Sequence, residues 1–347
     1  MDFIDFFCGI GTIRMGMEQA GHKCVYSVEW DKHKRRIYGI IFGEEPEGQD
    51  IRECRENELP RADCWCFGAP CQDFSIAGNR AGLEGDRSSL VREVFRLVRE
   101  TKEEYRPKYL FYENVKGMFS SNKGLDYFQI LCEMDELGYD IEWQLLNSKD
   151  FGVPQNRERV FTIGHLRGRS TGKVFPIGGE NQNLDIKVIG DLNMPGRHES
   201  AQRIYDPNYI GPALNTCGGG GLETKIIVRP CLTPDRLEKR QNGRRFKEPG
   251  EPMFTLTKQD IYGVLISKTI RVGGRGSPYG SKQNWDTYRI GDRIRRLTPR
   301  ECMRLQGVSD EITDKLIEAG ISDTQMYRGA GDATTVNVIY EIAKRMS

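Results

Sequence analysis

The residues able to do chemistry gather into three short runs. Gly68-Ala69-Pro70-Cys71-Gln72-Asp73-Phe74-Ser75 follows an apolar stretch, which presents Cys71 at the end of a strand behind a proline that fixes the backbone. Glu113-Asn114-Val115 closes the next apolar stretch, and Gln155-Asn156-Arg157-Glu158-Arg159 precedes a further one. A thiol, a carboxyl group and two guanidiniums at successive strand ends suit nucleophilic attack assisted by proton donation and charge stabilisation. Taken singly, each has an ordinary reading: a small buried hydrophobe, a helix-capping acid, an exposed charged turn. Cys64 and Cys66 precede Cys71 closely, but no C-x-x-C pair occurs there and none of the four histidines falls nearby. A metal site is therefore not expected.

A second group of residues opens the chain. Residues 3–7 read as a short buried strand, Cys8-Gly9-Ile10-Gly11 as a glycine turn, and Thr12 as the cap of a helix running to Ala20. Small residues there let a ligand approach the backbone at a helix N-terminus. Glu29, closing the second strand in Glu29-Trp30-Asp31, stands about 20 residues on, where a ribose diol is usually held. Asp50, before Ile51, is placed to meet an adenine amino group. Two acids suit a cationic sulfonium better than a pyrophosphate, which favours S-adenosylmethionine over NAD. Packing glycines with solvated acids are the plainer alternative.

These residues need a scaffold. Strand-like runs at 24–28, 62–67, 109–112 and 159–164 alternate with helical spacing at 88–102 and 125–137. Such alternation predicts a doubly wound α/β sheet with ligands at the carboxyl ends of its strands. After about residue 166 glycine and proline become dense and short β-like pieces take over, which predicts a smaller, irregular β-rich second domain. Residues 300–306 and 336–345 read as helices, the last returning to the first domain.

Composition narrows the class. The chain has 347 residues, 37% hydrophobic and 29% charged, an ordinary soluble balance. No apolar run approaches the roughly 18 residues of a membrane span, and no basic signal region opens the sequence. Ten cysteines without such a signal read as reduced thiols in a cytoplasm. The net charge of +1 is an average over unlike parts. Residues 225–304 hold 19 Lys plus Arg against 8 Asp plus Glu, or +11, and the remainder, with 32 against 42, carries −10. A basic segment on an acidic body is the asymmetry expected when one part meets a polyanion.

In order, Phe7-x-Gly9-x-Gly11, Glu29-Trp30-Asp31, Asp50-Ile51, Pro70-Cys71-Gln72, Glu113-Asn114-Val115 and Gln155-x-Arg157-x-Arg159 resemble the motifs of the bacterial and phage cytosine-5 DNA methyltransferases. Residues 296–302 look like that family's ninth motif, and Tyr327-Arg328-Gly329-Ala330-Gly331-Asp332-Ala333 like its tenth. The resemblance implies a Rossmann-like S-adenosylmethionine-dependent catalytic domain from 1–165 plus 325–347, and a target-recognition domain over 166–324. It also implies a sequence-specific DNA (cytosine-5)-methyltransferase producing S-adenosylhomocysteine, without metal. Cys71 would attack carbon 6 of a cytosine flipped out of duplex DNA, Glu113 would engage ring nitrogen 3, and Arg159 the ring carbonyl. Arg157 would support that site or a phosphate.

By the same resemblance Phe7, Gly9, Ile10, Gly11, Glu29, Trp30, Asp50, Ile51, Pro70, Leu90, Asp332 and Ala333 line the cofactor pocket. Gln72, Ser75, Ser200, Arg203, Thr255 and Leu256 meet DNA, and residues 72–87 form a loop that closes on the flipped base. The implied setting is a cytoplasmic, bacterial or phage-encoded monomer, serving restriction-modification, phage self-protection or orphan modification, with any cognate endonuclease acting separately. One departure stands out: the tenth motif usually reads Gly-Asn, and here it reads Gly331-Asp332. Among alternatives, tRNA-methylating relatives carry a Cys-Phe-Thr signature absent here, and inactive relatives lose Pro-Cys or Glu-Asn-Val. An NAD-dependent oxidoreductase accounts for the first 60 residues but not for Cys71, Glu113 and Arg159 together.

Overall fold

The computed structural model describes residues 1–69, 90–178 and 298–346 in full, and between them only the backbone of short strands. The chain divides into two compact units, one of Met1–Val153, Arg157–Gln182 and Met303–Ser347, the other of Pro154–Asn156 and Asn183–Cys302.

In the first unit, β1 (Asp2–Phe6), β2 (Lys23–Val28), β3 (Cys64–Phe67), β4 (Tyr109–Val115), β5 (Tyr139–Asn147) and, after the two-residue β6 (Gln155–Asn156) of the second unit, β7 (Glu158–Leu166) are the strands. They form one six-stranded sheet in the order β2-β1-β3-β4-β7-β5. β2, β1, β3 and β4 run parallel, whereas β7 lies antiparallel between β4 and β5. The unit's α-helices are α1 (Thr12–Gln19), α2 (Lys32–Phe42), α3 (Leu90–Glu100), α4 (Leu125–Glu136), the end of α5 (Pro299–Leu305), which begins in the second unit, α6 (Asp310–Glu318), α7 (Asp323–Asp332) and α8 (Val336–Ala343).

The central strands are mostly apolar because both of their faces are covered, with Asp5 of β1 and Glu113 and Asn114 of β4 as buried polar exceptions. Ile4, Phe6, Trp65, Phe67, Leu110 and Tyr112 pack with Val94, Phe95 and Val98 of α3 and Ile130 and Met134 of α4. The alternate residues Phe3, Cys64, Cys66, Tyr109 and Phe111 pack on the other face with Ile13 and Met17 of α1 and Ile339 and Ile342 of α8. The closing helix thus belongs to the first unit, so tightly that a Cβ on Gly16 would lie 2.6 Å from Ile339 Cβ.

The prediction of a doubly wound sheet holds, with differences. The second strand pair brings in β5, which sequence reading passed over, and the strand read at 109–112 continues to Val115. The expected cap at Thr12 is a correction. Gly11 is the N-cap, in the left-handed region at φ 85°, where an L side chain is strained and where a Cβ would also strike the Phe42 ring. Thr12 is the first helical residue and its Oγ1 accepts the backbone amide of Thr334 at 3.2 Å.

In the second unit the backbone of β8 (Val188–Asp191), β9 (Arg203–Tyr205), β11 (Lys225–Leu232), β12 (Tyr262–Leu265) and β13 (Arg293–Arg295) forms a sheet around β11, after β10 (Gly211–Pro212) pairs with β6. Among the described residues no helix is long and apolar enough to cross a membrane.

Candidate active site

Sheet topology explains how one edge gathers the reactive groups. Because β7 is antiparallel to β4, its first residues lie beside the last residues of β4, with Arg159 opposite Val115. Arg159 is then the diagonal neighbour of Glu113 on the same face, and its Nε lies 3.1 Å from Glu113 Oε1. Both side chains are largely buried. Burial pushes the Glu113 carboxyl above its ordinary range, outweighing Arg159, Arg157 and the Thr334 hydroxyl, all of which favour the charged form. A carboxyl group so placed holds a proton to higher pH than a free glutamate and can donate it.

The end of β3 arrives at the same place. A Cβ on Gly68 would lie 3.2 Å from Glu113 Oε2, and the Asn114 amide donates to the Ala69 carbonyl at 3.4 Å. Asn114 also donates to the Tyr112 hydroxyl at 2.7 Å. Gly68 and Ala69 are the residues that lead directly into Pro70 and Cys71, which lie outside the described residues, as do Gln72 and Ser75.

Arg157 is 2% exposed, and one of its terminal nitrogens donates to the carbonyls of Gly331 at 2.9 Å and Ala333 at 2.8 Å. Its guanidinium is thus buried on the backbone oxygens at the end of α7. The segment it grips is held further by polar contacts that sequence reading missed. Gln306 donates to the Ala330 carbonyl at 2.6 Å and accepts from Thr335 Oγ1, which also meets Ser148 Oγ at 2.8 Å. The adjacent pair Thr334-Thr335 after the Gly-Ala-Gly-Asp run was the available signal.

On the cofactor side, Glu29 is buried and accepts the amides of Gly9 at 2.9 Å and Asp31 at 2.8 Å, one on each oxygen. A carboxylate has further lone pairs, so a pair of hydroxyls remains acceptable to it. Trp30 beside it is 65% exposed, a free aromatic face next to a fixed acid. Phe7 adopts φ 59°, unusual for an aromatic residue and located at the glycine turn. Asp31 caps α2, accepting the amides of His33 and Lys34; burial alone would raise its pKa, but these bonds lower it. Asp5 is fully buried on β1; among the described residues neither of its oxygens has a hydrogen bond of ordinary geometry, and burial, outweighing nearby Arg14, raises its pKa well above the ordinary value.

The family described as C-5 cytosine-specific DNA methylase matches this chain over residues 1–347. The chain belongs to that family. Among its relatives, the type II methyltransferase M.HhaI of Haemophilus parahaemolyticus is 31% identical over 98% of this chain and 92% of that protein. The orphan methyltransferase M.SPBetaI of Bacillus phage SPbeta is 30% identical over 99% of this chain and 96% of that protein. Among solved structures, an Entamoeba histolytica methyltransferase, EhMeth, superposes with a TM-score of 0.63 at 17% identity, covering 98% of this chain and 96% of that one. That last likeness speaks for the fold, a methyltransferase sheet with helices on both faces.

The remaining site residues of this cytosine-specific methylase are placed as follows. Ile10 is buried against Gly329 of α7, and Ile51 is buried with its carbonyl accepting from Arg96. Leu90 begins α3 and is half-buried. Asp50 is ion-paired with the exposed Arg52, which donates to both of its oxygens and holds the carboxyl below its usual range; like Glu29 it keeps further lone pairs for a donor. Ala333 is buried, whereas Asp332 is exposed and ion-paired with Lys34 at 2.7 Å. Arg203 lies on β9, described by its backbone alone, and Ser200, Thr255, Leu256 and the start of the ninth motif lie outside the described residues.

Proposed function

We propose that this methylase transfers a methyl group from S-adenosylmethionine to carbon 5 of cytosine in a specific duplex DNA sequence, through a covalent adduct with Cys71. The observation that carries the reading is the buried Glu113–Arg159 pair standing against Gly68 and Ala69, one step before Pro70-Cys71. Cys71 thiolate forms a bond to ring carbon 6 while Glu113 gives its proton to nitrogen 3, which leaves carbon 5 nucleophilic. The Arg159 guanidinium stabilises the ring carbonyl oxygen as electron density moves onto it. S-adenosylmethionine, where bound, supplies the methyl group as an electrophile on sulfonium. Loss of the carbon 5 proton to water then expels the Cys71 thiolate, nitrogen 3 returns its proton to the Glu113 carboxylate, and the aromatic ring is restored.

Glu29 and Trp30 fit the cofactor's ribose and adenine, the first by its fixed carboxylate and the second by its exposed ring. The base must leave the helix to reach these groups. The second unit, with the basic segment 225–304, reads the target sequence in this proposal. The relatives, a type II and an orphan methyltransferase, add type II or orphan modification as the setting.

Duplex DNA carrying 5-fluorocytosine in the target site tests the chemistry, because fluorine cannot leave as a proton does. With S-adenosylmethionine the wild-type protein is expected to migrate as a covalent complex in denaturing gels, and C71A to form none. A C71A protein that methylates DNA at the wild-type rate would overturn the mechanism.

A further inference from the structure

Asp332 and Lys34 come from opposite ends of the chain and meet at 2.7 Å between Lys34 Nζ and Asp332 Oδ2. Asp332 ends α7 at the position where the family usually has asparagine. Lys34 stands in the first turn of α2, directly after Glu29, Trp30 and Asp31. Both elements border the glycine turn. Gly329 of α7 packs on Ile10, Thr334 donates to Thr12, and Glu29 holds the Gly9 amide. Three carboxylates, those of Asp332, Glu29 and Asp31, surround the one ammonium and keep it charged against its burial.

That charge balance has a consequence for any ligand on Glu29 and Trp30. S-adenosylmethionine carries a sulfonium and an amine, both cationic, and also a carboxylate. An acidic corner attracts the first two and repels the third. An asparagine at 332 would add no charge, so the aspartate makes the corner more acidic and needs a counterion. We propose that Lys34 is a positioning residue that neutralises Asp332 and that the ligand's carboxylate, rather than its cations, lies nearest this pair, so that Lys34 sets the charge there to accept it. The proposal rests on the S-adenosylmethionine reading given above. A simple staple between α2 and α7 is the competing role, since partly exposed ion pairs contribute about 0–1 kcal/mol; a staple affects all ligands alike.

Isothermal titration of the full-length protein separates the two. The ligands are S-adenosylmethionine and its decarboxylated form, which keeps adenosine, sulfonium and amine but lacks the carboxylate. For K34A, and for K34M with its longer apolar stem, the Kd for S-adenosylmethionine is expected to rise about tenfold, equivalent to ~1.4 kcal/mol. The Kd for the decarboxylated ligand should stay within about twofold of wild type or tighten, as expected for a purely electrostatic change. K34A/D332N, which removes both charges, should return S-adenosylmethionine binding to within about threefold of wild type. Equal losses for both ligands, no loss in K34A, or a double variant as weak as K34A would each overturn the pair's role while leaving the cofactor reading intact. Wild-type protein that binds neither ligand would overturn both.

Discussion

Glu113 sits where two physical effects oppose each other. Burial favours its neutral form, while Arg159, Arg157 and Thr334 favour the charged one, and burial prevails. The direction fixes the sign of a pH effect. If the reaction needs the proton on Glu113, that requirement is met below its raised pKa and lost as pH climbs through it, whereas the need for the Cys71 thiolate acts in the opposite direction at lower pH. Single-turnover methyl transfer measured across pH should show that falling limb in the wild type. E113Q keeps the shape and an amide donor but has no proton to give. Its rate should drop by roughly 10²–10⁴, the range for a lost general acid, and the limb should vanish. A variant retaining both rate and limb would remove Glu113 from proton donation. The residue's identity and strand-end placement were readable from Glu113-Asn114-Val115, but its pKa was not. That shift comes from burial at the sheet's edge, opposed by Arg159, a neighbour by pairing across strands. Asp50 shows the reverse: its acid was legible, while its occupation by Arg52 was a matter of side-chain geometry.

At the scale of elements, the strands most legible in sequence are those covered on both faces. β3 and the first four residues of β4 are continuous apolar runs, and β1 is apolar but for its two aspartates, because helices lie above and below them. β5 is the sheet's edge, and Tyr-Asp-Ile-Glu-Trp-Gln-Leu-Leu-Asn mixes charge with apolar residues, which blurred its signal. α2 had an Asp31 cap and a Gly43 stop, signals that reading for chemistry passed over. Nothing local announces that β7 enters antiparallel, yet that direction is what brings Arg159 to Glu113. The tenth motif is similar: its residues were recognisable, but the hand that holds them, Arg157, is far off in sequence. Arg157 predicts its own importance to this joint. R157A leaves the buried carbonyls of Gly331 and Ala333 without their donor, at about 1–3 kcal/mol each. Urea unfolding should therefore show a loss of about 2–5 kcal/mol. R157K, with a single ammonium on a flexible stem, should recover only part of it. A midpoint unchanged in R157A would mean that the end of α7 is held by Gln306 and Thr335 alone.

Across the whole molecule the near-zero net charge conceals a division of labour between a body of −10 and a segment of +11. The acids of the body include Glu29, Asp31 and Asp332, grouped around Lys34 beside the glycine turn, where a cationic methyl donor fits. Duplex DNA is repelled by such acids, and on the proposed reading its phosphates are met by the basic residues of 225–304, including the run Arg244-Arg245-Phe246-Lys247. Each phosphate neutralised releases counterions, giving a slope of about −0.9 in log affinity against log salt. With roughly six such contacts, affinity for target DNA should fall about 10³-fold between 50 and 200 mM salt. R244Q/R245Q/K247Q should flatten the slope by up to ~3 and weaken target and non-target duplexes alike, because phosphate contacts carry no sequence information. Fluorescence anisotropy over a salt series measures both quantities. S-adenosylmethionine binding should be unaffected by the triple substitution, as the cofactor residues lie in the other unit. A flat salt dependence in the wild type would mean that this segment's charge serves something other than DNA.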